Sequence, residues 1–283
     1  VIGPWCHGLP ARAGWWRHEL SGFLLQKSIL YLDQHLKEGE GSKQEAPVRY
    51  FSAGDDHWHS SSTWPPAHLK SHCFHLRSHS GEGTLENEVS SGEEESMLFT
   101  YDPEQSHKTL GGALFGGKAG IKDQRQATNS PQHQATYTSK PLSFELPLVG
   151  AVRLEISYST DAEDADLFAQ LLDVFPDGRI ENVSEAMQRS RWYGVPTHET
   201  QARYLKPGEI RQLCLEFVHT ARTIRTGHCL RLVIAGGNFP TYDRNPGTTE
   251  SPALARADAF RTGQHQIHHG AGLDPRLTLS LRA

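Results

Sequence analysis

The sequence predicts a mainly β protein: a jelly-roll β-sandwich preceded by a strand end, a loop and one helix. Three observations carry this. Apolar and polar residues alternate in many short runs, the period of a half-buried strand. Turn formers separate those runs, with 26 glycines and 16 prolines along the chain. Sustained helical spacing occurs in one stretch, Trp15 to Lys37.

Composition sets the outer limits. At 283 residues the chain is long enough for one or two domains and a substantial core. A net charge of -5, with no basic cluster, gives no electrostatic footprint for nucleic acid. No run of about 18 apolar residues exists, so no membrane-spanning helix is expected. Cys6, Cys73, Cys214 and Cys229 are scattered without a C-x-x-C; Cys214 and Cys229 lie in apolar runs and read as small buried hydrophobes. The chain opens without methionine, directly on strand-like residues, as a fragment of a longer chain would.

Val1-Ile2 reads as the tail of a strand that Gly3-Pro4 terminates, placing His7 on the loop beyond. Strand ends of this kind carry chemistry in α/β proteins. The helix follows, with Trp16, Leu20, Phe23, Leu24, Leu25, Ile29, Leu32 and Leu36 at helical spacing and Gly39 and Gly41 as stop signals. Its apolar face has no evident partner in this chain, so it is expected to pack on the sandwich, self-associate or be disordered. Residues 37–45 are polar and read as a linker.

From Ala46 the period changes to two, over Val48, Tyr50 and Ser52, up to a turn at Gly54-Asp55-Asp56. His72 to Leu76 reads as a strand, residues 78–96 as an acidic loop or decorated hairpin, and residues 101–134 as a long glycine-rich loop. The β core is clearest after Tyr137. Val152, Leu154, Ile156 and Tyr158 share one face, opposite Arg153, Glu155 and Ser157. Leu167 to Phe175 is almost continuously apolar, as a central strand would be. Leu213, Leu215 and Phe217, then Leu230, Leu232 and Ile234, then Leu277, Leu279 and Leu281 complete about eight strands with long connections.

Several separated motifs carry a resemblance. Gly3-Pro4-Trp5-Cys6-His7-Gly8 is similar to the Gly-Pro-Trp-x-His histidine segment of the cocaine esterase and X-Pro dipeptidyl-peptidase (CocE/NonD) group of serine hydrolases. Ala46 to Phe51, Trp64-Pro65-Pro66, Tyr137 to Leu142, Asp166 to Arg179, Asn238-Phe239-Pro240 and Asp243-Arg244-Asn245-Pro246 resemble further stretches, in the same order. Cys6 departs from the small hydroxyl residue expected there, and the acidic insertion near Glu93 is longer than usual. The resemblance implies the last strand, loop and helix of an α/β-hydrolase domain over residues 1–40. It implies a jelly-roll, galactose-binding-like C-terminal domain over residues 45–283. It further implies partnership with an N-terminal catalytic domain that brings the nucleophile, the acid and a small ester or peptide substrate. The β domain would buttress the active site or mediate contacts between copies.

The chemistry then centres on His7. In α/β hydrolases the triad runs Ser, Asp or Glu, then His, and the histidine shuttles the serine proton. No G-x-S-x-G nucleophile elbow is present, so His7 is the single catalytic residue expected here, and the chain is expected to be inactive alone. Cys6 is a poor substitute, because neighbours on extended chain point to opposite sides. Gly112 to Ala119 resembles a phosphate loop up to Lys118, but Ala119 replaces the magnesium-binding hydroxyl and no strand precedes it. His57 with His59, His72 with Cys73 and His75, and His265 with His268 and His269 lack the spacing of a structural zinc site. No cofactor or metal is therefore expected. Asn182-Val183-Ser184 matches a glycosylation sequon. Asp243 to Pro246 reads as a hydrogen-bonded turn, with Asp and Asn bonding local backbone and Pro fixing φ; as a functional element it would dock the β domain on its catalytic partner sooner than contact substrate. The alternative is a lectin-like carbohydrate- or ligand-binding module, for which the preceding strand and helix would serve no purpose.

Overall fold

In the computed structural model, residues 1–6, 9–10, 19–37, 47–89, 95–114, 118–127, 129–196, 198–270 and 272–283 are described. They form sixteen strands and one α-helix. β1 (Trp5–Cys6) and β2 (Leu9–Pro10) pair with each other, and α1 (Glu19–Leu36) follows. β3 (Val48–Ser52) and β4 (His57–Ser61) make a separate hairpin. The body comprises β5 (Lys70–His79), β6 (Glu82–Glu86), β7 (Met97–Tyr101), β8 (Gln134–Ser139), β9 (Leu146–Thr160), β10 (Asp166–Val174), β11 (Ile180–Arg189), β12 (Arg211–Glu216), β13 (Thr220–Ile224), β14 (Cys229–Ala235), β15 (Gly263–His268) and β16 (Arg276–Leu281).

The body is a β-sandwich. One layer runs β11-β10-β14-β8; the other runs β5-β16-β9-β15-β7, with β12 and β13 on the second edge of β9. β6 joins the layers, antiparallel to β5 and parallel to β8. β9 organises its layer because its 15 residues serve four partners. Leu146–Gly150 faces β13, and Arg153–Tyr158 faces β12. Gly150 ends the first span at φ +91°, and a Cβ there would lie 2.9 Å from Pro65. Glycine is the residue that tolerates both conditions.

The alternation read from sequence decides which side chains enter the core. Val152, Leu154, Ile156 and Tyr158 join Leu213, Leu215, Leu230, Leu232, Ile234, Leu277 and Leu279 in one apolar cluster. Truncating any of these leucines to alanine removes about 2–5 kcal/mol of stability. β10 explains its continuous apolar run. Leu167, Ala169 and Leu171 enter the sandwich. Phe168, on the opposite face, is covered by His107 at 5.7 Å and Tyr242 at 6.1 Å, both from long connections.

Several expectations need adjusting. The expected helix, Trp15 to Lys37, is present over Glu19–Leu36; residues 15–18 lie outside the described residues, as does 38–46 of the expected linker. α1 is folded but leaves Leu25, Ile29, Leu32 and Leu36 exposed, so that face is not packed on the sandwich. The strand at His72 extends over Lys70–His79, and residues 80–81 turn it into a hairpin with β6. Cys214 and Cys229 are half-buried rather than buried, because they occupy the outward positions of their strands; Arg153 Nη2 donates to Cys214 Sγ at 3.3 Å.

Asn245 turns inward. Its Nδ2 donates to Asp164 Oδ2 at 2.7 Å and to Asp166 Oδ1 at 2.9 Å, and its Oδ1 accepts from the Gly247 amide at 2.8 Å. Arg189 and Arg191 pair with the same two aspartates. The Asp243 to Pro246 motif therefore fastens a turn within the sandwich; Asp243 itself stays exposed.

Candidate functional site

His7 and Gly8 lie outside the described residues. The segment leading to His7 is described, and the hairpin fixes its course. Ile2 N donates to Arg49 O at 2.8 Å, and Phe51 N donates to Ile2 O at 2.9 Å. Ile2 thus adds to β3 as a parallel bridge with Tyr50. Beyond it the chain folds tightly: a Cβ on Gly3 would lie 1.9 Å from the Trp5 ring, so only glycine lets that ring lie back over the backbone. Trp5 then meets Trp58 of β4 at 6.1 Å. Strand pairing and aromatic contact together determine where Cys6 leaves the hairpin, one residue before His7.

A cavity of 540 Å³ opens beside this segment. Ile2 to Cys6 form one wall, Phe51, Ala53 and Trp64 a second, and Gly112–Leu114 with Gly120 and Ile121 a third. Asn182–Glu185 of β11 and Val218–Arg222 close it. The surface is largely apolar and aromatic, with a few polar groups, the usual make-up of a small-molecule site.

Two charged residues reach it, and their states differ. Arg222, 2% exposed, is held by Asp173 Oδ2 at 2.6 Å and Glu181 Oε2 at 2.8 Å, so its charge is satisfied inside the sandwich. His228 Nδ1 lies 2.7 Å from the other oxygen of Asp173. Glu185 is different. Burial raises its pKa, and the Tyr242 hydroxyl, which donates to Oε1 at 3.2 Å, only partly opposes that. Oε2 has no hydrogen-bond partner among the described residues and faces Gly112, where an added Cβ would sit 3.3 Å away. Neither Glu185 nor Arg222 stands out in the sequence, because a charged residue on an alternating strand looks like an ordinary solvent-facing position.

The described ends of the glycine loop are tied to each other. Gly112 and Gly120 exchange backbone hydrogen bonds at 2.8 and 3.0 Å and close it as a small ladder; residues 115–117 lie outside the described residues. Asn182 pins the loop from below, accepting from Lys122 N at 2.8 Å and donating to Gly120 O at 3.2 Å.

Among the described residues no three His, Cys, Asp or Glu side chains converge as metal ligands. The histidine clusters have other engagements. His59 Nε2 accepts from Arg282, His75 bonds Asp274, His265 bonds Tyr158, His268 bonds Ser159 and His269 bonds Tyr137. His72 lies edge-on to Phe74 and Phe144.

Comparison with known proteins gives the arrangement its context. The cocaine esterase of Rhodococcus sp. (strain MB1 Bresler) is 28% identical over 285 residues, covering 95% of this chain and 49% of that protein. An α-amino acid ester hydrolase structure superposes with a TM-score of 0.79 at 21% identity, covering 100% of this chain and 50% of that one. An aminopeptidase from a marine sediment Thaumarchaeota archaeon superposes with a TM-score of 0.78 at 20% identity, covering 100% of this chain and 47% of that one. The chain spans about half the length of the curated relatives it matches. Residues 40–278 match the model of the X-Pro dipeptidyl-peptidase C-terminal non-catalytic domain. The chain belongs to that family, and its β-sandwich is the family's non-catalytic domain.

Proposed function

We propose that this chain is the C-terminal portion of a serine hydrolase of the cocaine esterase and X-Pro dipeptidyl-peptidase type, acting on an ester or amide through an acyl-enzyme. Residues 1–40 would complete an α/β-hydrolase catalytic domain, and residues 45–283 would form the C-terminal jelly roll. His7 would be the general base and acid of the triad. The partner would be a catalytic domain carrying the serine and the acid, and α1 would lay its exposed leucines against it. The 540 Å³ cavity would be this chain's share of the substrate pocket, with Gly112–Leu114, Gly120 and Ile121 on its outer side.

One observation supports this reading above the others. The segment bearing His7 is paired to β3 and forms a wall of the cavity, while the sandwich forms the remaining walls. A free-standing lectin-like module has no use for such a segment, and the family match favours the hydrolase reading. The test is reconstitution. The chain is joined to a catalytic half bearing the nucleophile and acid, and hydrolysis of a p-nitrophenyl ester is followed. Activity should require both parts and fall by at least about 10³-fold with His7→Ala, toward the residual rate left when a triad member is lost. Full activity in the His7→Ala protein would end the proposal.

A further inference from the structure

The segment before His7 is attached to the sandwich indirectly. It pairs with the β3–β4 hairpin, and the hairpin is a separate two-stranded sheet. Ser52 Oγ of β3 lies 3.3 Å from Thr223 Oγ1 of β13, and the turn between the hairpin's strands supplies most of the other hydrogen bonds that hold it. Ala53 N donates to Ala221 O at 3.0 Å, and Thr223 N donates to Ala53 O at 2.7 Å. Gly54, at φ +92°, sits so close to β13 that a Cβ would lie 2.2 Å from Thr223 O. Gly54 O accepts from Arg225 Nε at 3.0 Å and Nη2 at 2.8 Å.

Asp55 closes this joint with its side chain. Its Oδ2 accepts from Thr223 Oγ1 at 3.3 Å and from Arg282 Nη2 at 3.2 Å. Arg282 follows the last strand, and its Nη1 donates to His59 Nε2 at 2.6 Å. One carboxylate thereby ties the hairpin turn, β13, β4 and the C-terminal segment together. Its side chain is 14% exposed, so these charge-assisted bonds are only weakly screened.

We infer that Asp55 is a positioning residue for the His7 segment. It locks the β3–β4 hairpin on the sandwich, and the hairpin sets the path of residues 2–6. This rests on the reading of His7 as the triad base. Placement within about 0.5 Å is what a catalytic group requires, and a misplacement of about 1 Å can cost on the order of 10²-fold. A domain without catalytic groups of its own would thereby influence the rate.

Amide hydrogen exchange on the 283-residue chain tests the docking half of the inference, independently of any activity. In the wild type, the Ile2 and Phe51 amides should be protected. Asp55→Ala should accelerate both at least tenfold while core amides of β9 and β10 keep their rates. Unprotected Ile2 and Phe51 in the wild type, or unchanged rates in the variant, would overturn it. The reconstituted enzyme tests the other half: Asp55→Ala should lower kcat by about 10- to 100-fold with little change in KM. Asp55→Asn, which keeps the acceptor oxygen, should recover part of the loss. Loosened amides with unchanged kcat would overturn the inference even if His7→Ala abolishes activity. Activity insensitive to His7→Ala would instead strike the hydrolase reading. Should Asp55→Ala fail to fold, Arg282→Met loosens the same joint from the other side and must give the same pattern.

Discussion

The Asn245 amide bridges Asp164 and Asp166, lying 2.7 Å from one carboxylate and 2.9 Å from the other. It is 1% exposed, and it separates two like charges that Arg189 and Arg191 hold from the far side. Asn245→Asp would place a third carboxylate against the first two without a new cation. A loss of about 3 kcal/mol or more is expected, since an uncompensated buried charge costs that much. Urea unfolding of the variant at pH 7 measures it, and a midpoint equal to the wild type would contradict this account.

Arg222 gives a complementary case. Arg222→Met would leave Asp173 with His228 and Glu181 with Arg179 as remaining partners, but without the guanidinium between the two carboxylates, and about 3 kcal/mol should be lost. Replacing Arg222, Asp173 and Glu181 together by apolar residues of similar volume should recover part of that, because a buried pair offsets little more than its own desolvation. A triple variant as unstable as the single one would rule out the electrostatic explanation.

Acid sensitivity follows from two buried imidazoles. Burial lowers the pKa of His107 to about 4 and that of His265 to about 3, from a usual 6.5. Above pH 6.5 both are neutral, folded or unfolded. As pH falls below 6.5, the unfolded chain takes up protons that the folded chain refuses, so stability declines down to the folded values. At about 1.4 kcal/mol per unit, His107 alone accounts for about 3 kcal/mol between pH 6.5 and 4. Urea midpoints measured from pH 7 to 4.5 should fall steadily; a flat profile would count against it.

Glu185 carries the opposite sign. Burial raises its pKa, so the folded chain holds its proton more tightly than the unfolded chain. Its contribution therefore favours folding at low pH and is lost as pH rises through the folded value. Glu185→Gln keeps the shape and removes the buried charge. A thermal midpoint raised by a few degrees at pH 8, with little gain at pH 4, is expected; an equal shift at both would refute the assignment.

The strands were legible because their chemistry is local. Val152, Leu154, Ile156 and Tyr158 face inward as their alternation requires. Leu167 to Phe175 was readable as interior, though not that one face meets loops instead of a sheet. Of the cavity walls, the sequence singled out the segment leading to His7 and the loop that begins at Gly112, and left the strand residues Asn182–Glu185 and Val218–Arg222 unmarked. Asp55 sat in view as part of a turn, but its partners Thr223 and Arg282 lie 168 and 227 residues away, and no period connects them. Asn245 was readable as a hydrogen-bonded turn residue, but not the buried acidic pair it reaches, because Asp164 and Asp166 lie 81 and 79 residues away.

The pairing of Ile2 with Arg49 and Phe51 bears on how members of this family can be recombined. A chimaera joined in the stretch before Val48 would graft one parent's N-terminal arm onto another parent's hairpin, and the mismatch would fall on the segment that, in the proposed function, leads to the triad histidine. A seam upstream of Ile2 keeps the arm and its cradle from the same ancestor. Shuffled libraries that respect this seam should return active hybrids far more often than those cut at the apparent domain border.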